Sequence, residues 1–183
     1  IILSLLIVMV LGRTAPGAFL NVCDRSEPVK VFLEEALSKP CGRIYESDLL
    51  WVKRVAVGHS NISQFKVDDF SGLTNLEILN IRSNPYTSLP EGLMKDLNNL
   101  RTLVIIDTPL RNYPDDFLAH NPKIENLHVF RNKVRSISES VFLRFQKANG
   151  LKVIDFDLAL QIAERERLGS IFPQGSGVEL NFY

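Results

Sequence analysis

The chain has 183 residues, 45% of them apolar, and a formal charge of zero from 21 basic and 21 acidic side chains. That length holds one domain with or without a leader, and the apolar content excludes intrinsic disorder. Nucleic acid is not an expected partner, because neutralising phosphates requires a basic excess that is missing here.

Residues 1–12 are almost wholly apolar. The run is shorter than the roughly 20 residues a membrane helix needs, and it fits the apolar core of a signal peptide. Ala15-Pro16-Gly17 then supplies small residues at a cleavage spacing. The expectation is a signal peptide over 1–18, truncated at its start since no Met or basic segment precedes it. The mature chain is then secreted, or periplasmic or at the cell surface, with no membrane span. A buried N-terminal strand and an uncleaved anchor are the alternatives.

Cys23 and Cys41 follow directly. An even pair in an exported chain favours a disulfide, which stabilises by roughly 3 kcal/mol for a loop of this size. Lipidation of Cys23 is the rival reading. Between the cysteines, Val29, Phe32, Leu33, Ala36 and Leu37 recur at helical spacing, with Glu34 and Glu35 outward. Pro40 ends that helix. Residues 19–51 thus read as a disulfide-pinned helical cap.

From Val52 the chain aligns with itself at a period of 24, with units starting at Val52, Leu76, Leu100 and Ile124. Apolar residues recur three and five positions on, as Val55 and Val57, Leu79 and Ile81, Leu103 and Ile105, Leu127 and Val129. A spine of Phe70, Met94, Leu118 and Phe142 follows in each unit. A fifth unit starts at Leu151 after a three-residue slip marked by Asn149-Gly150, with Ile154 and Phe156 inward. Residues 158–168 read helical, with Gly169 as the stop. Val178, Leu180 and Phe182 then alternate as a closing edge strand would.

The pattern LxxLxLxxNxLxxLPxxxFxxLxx resembles the 24-residue leucine-rich repeat, and residues 76–99, LEILNIRSNPYTSLPEGLMKDLNN, carry it best. The cysteine pair around a helix is similar to the N-terminal caps of secreted bacterial leucine-rich-repeat proteins. The resemblance implies an α/β solenoid, a horseshoe segment with parallel strands on the concave face. No single unit can bury its apolar face, so neighbouring units must stack. At position 9, Asn84 and Asn132 can bond the buried backbone of adjacent coils, and Ser60 and Thr108 do so more weakly. The organisation expected is five repeats over 52–157 and a C-terminal helix-strand cap over 158–183.

Chemistry is sparse. His59 and His128 are expected on concave strand positions three units apart, roughly 14 Å at the usual strand spacing, too far to share a metal. His120 falls on the convex side. Neither G-x-S-x-G, H-E-x-x-H nor a glycine-rich phosphate loop occurs. Gly58-His59-Ser60 suggests a nucleophile only if the backbone turns sharply there. Asp155 and Asp157 are expected together on the outer face of the fifth strand, as a polar rim. No catalytic role, cofactor or metal is expected. Asn61-Ile62-Ser63 is a glycosylation sequon whose use depends on the host.

The concave positions carry the informative surface. Ile78, Val104, Ile106 and Phe130 cluster there, with Asn80, Arg82, His128 and Arg131 around them. An apolar centre with an arginine edge is the composition of a protein interface. The expected function is non-catalytic recognition of another protein, or of a glycan, through this face. A structural spacer without a concave-face ligand is the alternative.

Overall fold

The computed structural model describes residues 21–147, 150–158, 160, 162–173 and 175–183. The leader expected over 1–18 lies outside these residues, as does Asn149. Among the described residues no helix is long and apolar enough to cross a membrane.

The cap comes first along the chain. Helix α1 spans Glu27–Leu37, with Pro28 in its first turn, where a missing N–H costs nothing. Val29 and Leu33, four residues apart, are its fully buried face. It ends two residues earlier than Pro40 suggests, because Ser38 turns left-handed at φ 51° and its N–H bonds back to Glu34 and Glu35. The Cys23–Cys41 disulfide ties the two ends of this helix together. A short helix α2, Glu46–Leu49, leads into the repeats.

The cap is seated on the first coil by a buried polar cluster. Arg25 is only 4% exposed and donates to the Asp69 carbonyl at 2.7 Å and the Ser71 carbonyl at 2.6 Å. The Asp69 carboxylate, fully buried, accepts from the Ser26 N–H, the Ser26 hydroxyl and the Lys66 N–H. Desolvation lowers the Arg25 guanidinium to about 10, with Asp69 opposing the shift.

Six strands form one parallel sheet in chain order: β1 Arg54–Ala56, β2 Ile78–Asn80, β3 Thr102–Val104, β4 Asn126–Val129, β5 Val153–Phe156 and β6 Glu179–Phe182. Each coil returns beside the last, so Arg54 pairs with Ile78, Ile78 with Thr102 and Thr102 with Asn126. The slip before the fifth unit is real: Asn126 pairs with Val153, 27 residues on. Gly150 accommodates it, since a Cβ there would lie 3.2 Å from the Ile124 carbonyl oxygen. The inward set Val55, Leu79, Leu103, Leu127 and Ile154 is fully buried and forms the core under the sheet. An aromatic series continues it, from Tyr113 through Phe117 and Phe145 to Phe156 and Phe182 on the last two strands.

After each of the first four strands the chain turns at the eighth position. His59, Ser83, Asp107 and Arg131 all have φ between 53° and 57°. The left-handed region costs an ordinary L-residue roughly 1–2 kcal/mol, so repetition at four coils shows how firmly the next residue directs the turn. That residue is the asparagine position. Asn84 accepts from the Ser60 and Ile62 N–H groups and donates to the carbonyls of Val57, Ile81 and Arg82. Asn132 accepts from the Thr108 N–H and hydroxyl and donates to Ile105.

A second ladder runs along the strand entrances. Lys53, Glu77, Arg101, Glu125 and Lys152 occupy one place in successive coils and alternate in sign. Lys53 pairs with Glu77 at 3.1 Å, Arg101 with Glu125, and Lys152 with Glu125 at 2.7 Å. Lys152 first, then Arg101, holds the Glu125 carboxyl below its ordinary value.

The C-terminal part departs from expectation at its helix. Convex helix α3 spans Glu139–Lys147 and helix α4 spans Ile162–Ile171, so α4 begins later than residue 158 and runs through Gly169 rather than stopping there. Glycine carries only about 1 kcal/mol of helix penalty, which the burial of Leu168 and the seating of Arg167 over the Phe142 ring offset. Strand β6 is the edge strand that the alternation of Val178, Leu180 and Phe182 implied, and it joins the sheet parallel to β5.

Candidate functional site on the concave face

Parallel register sorts the outward side chains into rows. The first row is Arg54, Ile78, Thr102, Asn126, Val153 and Glu179, and the second is Ala56, Asn80, Val104, His128, Asp155 and Asn181. One residue past the second row's following inward position come Gly58, Arg82, Ile106, Phe130, Asp157 and Tyr183, tied by backbone bonds from His59 to Arg82, Ser83 to Ile106 and Asp107 to Phe130. The sheet therefore brings Val104, Ile106 and Phe130 side by side, as the spacing implied. All three are half-buried, as are Ile78, Asn80 and His128.

Tyr183 completes the patch, and sequence reasoning missed it. Its ring lies 4.8 Å from that of Phe130, although their strands are separated by β5. The rings meet because Asp157, the residue between them, is buried. Tyr183 itself stays 57% exposed, so it widens the apolar stripe rather than closing it. The one available signal was the alternation over 178–183, which reveals the strand but not its neighbour.

The arginines sit at the rim. Arg82 is exposed and its stem passes 3.0 Å from where a Gly58 Cβ would be, so glycine lets it lie close against the first coil. Arg131 is exposed and pairs with Asp107 at 2.9 Å. Beside the stripe lies a polar network: His128 Nδ1 is 2.5 Å from Asp155 Oδ2, and Asn181 donates to Asp155 Oδ1 at 3.1 Å. With Asp155 ionised, Nδ1 carries a proton, which leaves Nε2 for a ligand.

Two expectations need correction here. Asp155 and Asp157 are not an exposed rim, being 7% and 3% exposed. Asp155 is held by His128 and Asn181, cross-strand partners that a single-strand reading cannot find. Asp157 turns under and accepts from the Asn132 N–H at 2.6 Å. It thereby takes the bond that Asn84 and Asn132 provide in earlier coils. His59 is not on a strand either. It lies in the left-handed turn after β1, where the adjacent Ser60 hydroxyl donates to the Gly58 carbonyl at 3.3 Å.

Burial raises the Asp157 carboxyl above its usual range, opposed by the N–H groups of Asn132 and Arg131, and its Oδ2 has no hydrogen-bond partner among the described residues. A raised folded-state pKa means the folded chain holds the proton more tightly than the unfolded chain. The penalty is full above the folded pKa, fades as pH falls through it, and is gone below the unfolded value of about 3.9. Asp157→Asn keeps the acceptor for Asn132 and removes the charge. Its melting temperature is expected to match or exceed wild type at pH 7, and the wild type should gain on it toward pH 4. Melts across that range check this, and a gap that does not change with pH would contradict it.

The family comparison agrees with the repeat. The leucine rich repeat family model matches residues 52–110. No curated protein matches the chain. Among solved structures, a leucine-rich-repeat protein of Leptospira interrogans superposes with a TM-score of 0.62 at 21% identity, over 74% of this chain and 32% of its own. This chain therefore spans about a third of that protein's length. An internalin of Listeria monocytogenes gives a TM-score of 0.43 at 15% identity, over 92% of this chain and 59% of its own. The Drosophila Toll–Spatzle complex gives 0.43 at 20%, over 58% and 18%. The leucine rich repeat match over residues 52–110 and the Leptospira superposition agree in one fold, and the described residues form a leucine-rich-repeat solenoid.

Proposed function

We propose that this chain is a non-catalytic recognition module acting outside the cytoplasm, and that it binds another protein through its concave face. The observation that carries the reading is the contiguous apolar stripe of Val104, Ile106, Phe130 and Tyr183 on the exposed sheet face. Aromatic side chains and arginines are enriched at protein interfaces, and a few buried anchors dominate their energetics. Ile106 and Phe130 are the anchors, with Tyr183 beside them. Ile78, Asn80, Arg82, His128 and Arg131 form the surround. The apolar leader and the Cys23–Cys41 disulfide support export.

The test is capture from the host's envelope and medium with the full chain as bait, alongside an Ile106→Asp/Phe130→Asp variant. The variant must first show a cooperative melt. Losing two anchors costs at least about 2 kcal/mol each, so the expected result is loss of the captured protein. A protein retained equally by both would move the site off this face. Capture of a glycan in place of a protein would change the class of partner, and capture of nothing would favour a structural spacer.

A further inference from the structure

On the loop side of the third and fourth coils lies a second feature that the concave reading does not use. A cavity of about 450 Å³ is lined by Arg111, Asn112, Lys133, Arg135 and Ser136. It is built by the repeat itself, because Arg111 and Arg135, like Asn112 and Ser136, are 24 residues apart and occupy the same place in consecutive coils. The backbone beneath is pinned, with the Lys133 N–H bonded to the Leu110 carbonyl at 2.8 Å and the Arg111 N–H to that of Thr87 at 3.3 Å. The equivalent places in the first two coils are neutral: Ser63 and Gln64, Thr87 and Ser88, with Asn61 and Pro85 where Lys133 stands. The charge is confined to one site.

None of these three cations forms an ion pair among the described residues, whereas Lys53, Lys95, Arg101, Arg131 and Lys152 in the repeats do. The carboxylates of the neighbouring loops are engaged elsewhere: Asp107 holds Arg131, and Asp115 accepts from the Ser138 and Ser140 hydroxyls. Like charges gathered without a counterion repel one another, and a chain of zero net charge has carboxylates enough to prevent this.

We propose that this cavity is an anion site for a sulfate or phosphate ester carried on a glycan. Two guanidinium forks from successive coils offer paired N–H donors to the oxygens of one tetrahedral ester, and Lys133 adds a point charge. The Asn112 amide and Ser136 hydroxyl are neutral donors suited to the remaining ester oxygen or a sugar hydroxyl. A planar carboxylate satisfies one fork and leaves the second unused, which favours the tetrahedral group over an acidic peptide.

The experiment is calorimetric titration of the full chain with a sulfated oligosaccharide, its desulfated counterpart, a phosphorylated oligosaccharide, inorganic phosphate and an oligo-glutamate peptide. Two basic-site variants are run beside wild type: Arg111→Ala/Lys133→Ala/Arg135→Ala, and Arg111→Lys/Arg135→Lys, which keeps the charge and removes the forks. Both sit on exposed side chains, and an unchanged melt confirms their fold. Binding of an ester-bearing glycan is expected, falling at least tenfold in the alanine variant, several-fold in the lysine variant and steeply with added salt. The two ester arms identify which ester is preferred. Ile106→Asp/Phe130→Asp should bind these probes like wild type, so failure of the concave reading leaves this site standing. Equal binding by wild type and the alanine variant would overturn the proposal. So would binding of the desulfated glycan as tightly as the esters, tighter binding of the peptide, or no binding of any ester.

Discussion

Replacing Asp69 with alanine is expected to lower the melting temperature by about 10 °C. The carboxylate accepts from Ser26 twice and from Lys66 once. It is also the largest of three negative charges, ahead of Asp68 and Asp96, that favour a charged Arg25, itself buried. Removing one partner of a buried charged cluster leaves the other uncompensated, typically about 3–5 kcal/mol. In a domain of this size each kcal/mol moves the midpoint by roughly 2–4 °C. Because the cluster joins the cap to the first coil, limited proteolysis should cut the variant near the cap before the repeats melt. Arg25→Met/Asp69→Leu, which removes both charges, should be less destabilised than Asp69→Ala. If the double variant is the worse of the two, the buried cluster is a source of stability in itself and the account is wrong.

Asn84→Ala is the second. This amide is 2% exposed and makes contacts to five backbone groups spread over two coils. Buried backbone groups that lose a partner each cost about 1–3 kcal/mol. The expected loss is about 3–5 kcal/mol, since some of these groups share other partners. Asn84→Asp should recover only part of it, because a carboxylate can still accept from Ser60 and Ile62 but cannot donate to Val57 or Ile81. Denaturant midpoints for the two variants check the ordering. Asn132→Ala should cost less, since Asn132 is less deeply buried. Equal midpoints for Asn84→Ala and wild type would show that water replaces the amide.

The strands were legible because burial repeats faithfully. Leu76, Leu79 and Ile81 must all be inside, and the same triplet recurs in each coil at fixed spacing. Stacking then fixes the register, so the neighbours Val104, Ile106 and Phe130 could be named before the fold was known. What could not be read were contacts that join residues of unlike position. Asp155 looks like any outward strand residue until His128 and Asn181 are placed on either side of it. Arg25 and Asp69 lie 44 residues apart in different structural units, with no periodicity to connect them. Alternation alone places His59 on a strand, since nothing in it marks where the left-handed turn ends the extended segment. Tyr183 was missed for a related reason: an isolated terminal alternation gives a strand without saying which strand it joins.

The alternating ladder of Lys53, Glu77, Arg101, Glu125 and Lys152 gives the stack a parity. Exposed pairs of this kind are screened by solvent, so the ladder is a weak source of stability. Its effect falls on how such a chain can change length. Excising one coil, residues 76–99, would set Lys53 beside Arg101, cation against cation. Excising that coil together with the next would return Lys53 to a glutamate, Glu125. A solenoid grown by duplicating coils in pairs keeps its charges in step, whereas one grown singly must rewrite a charge each time.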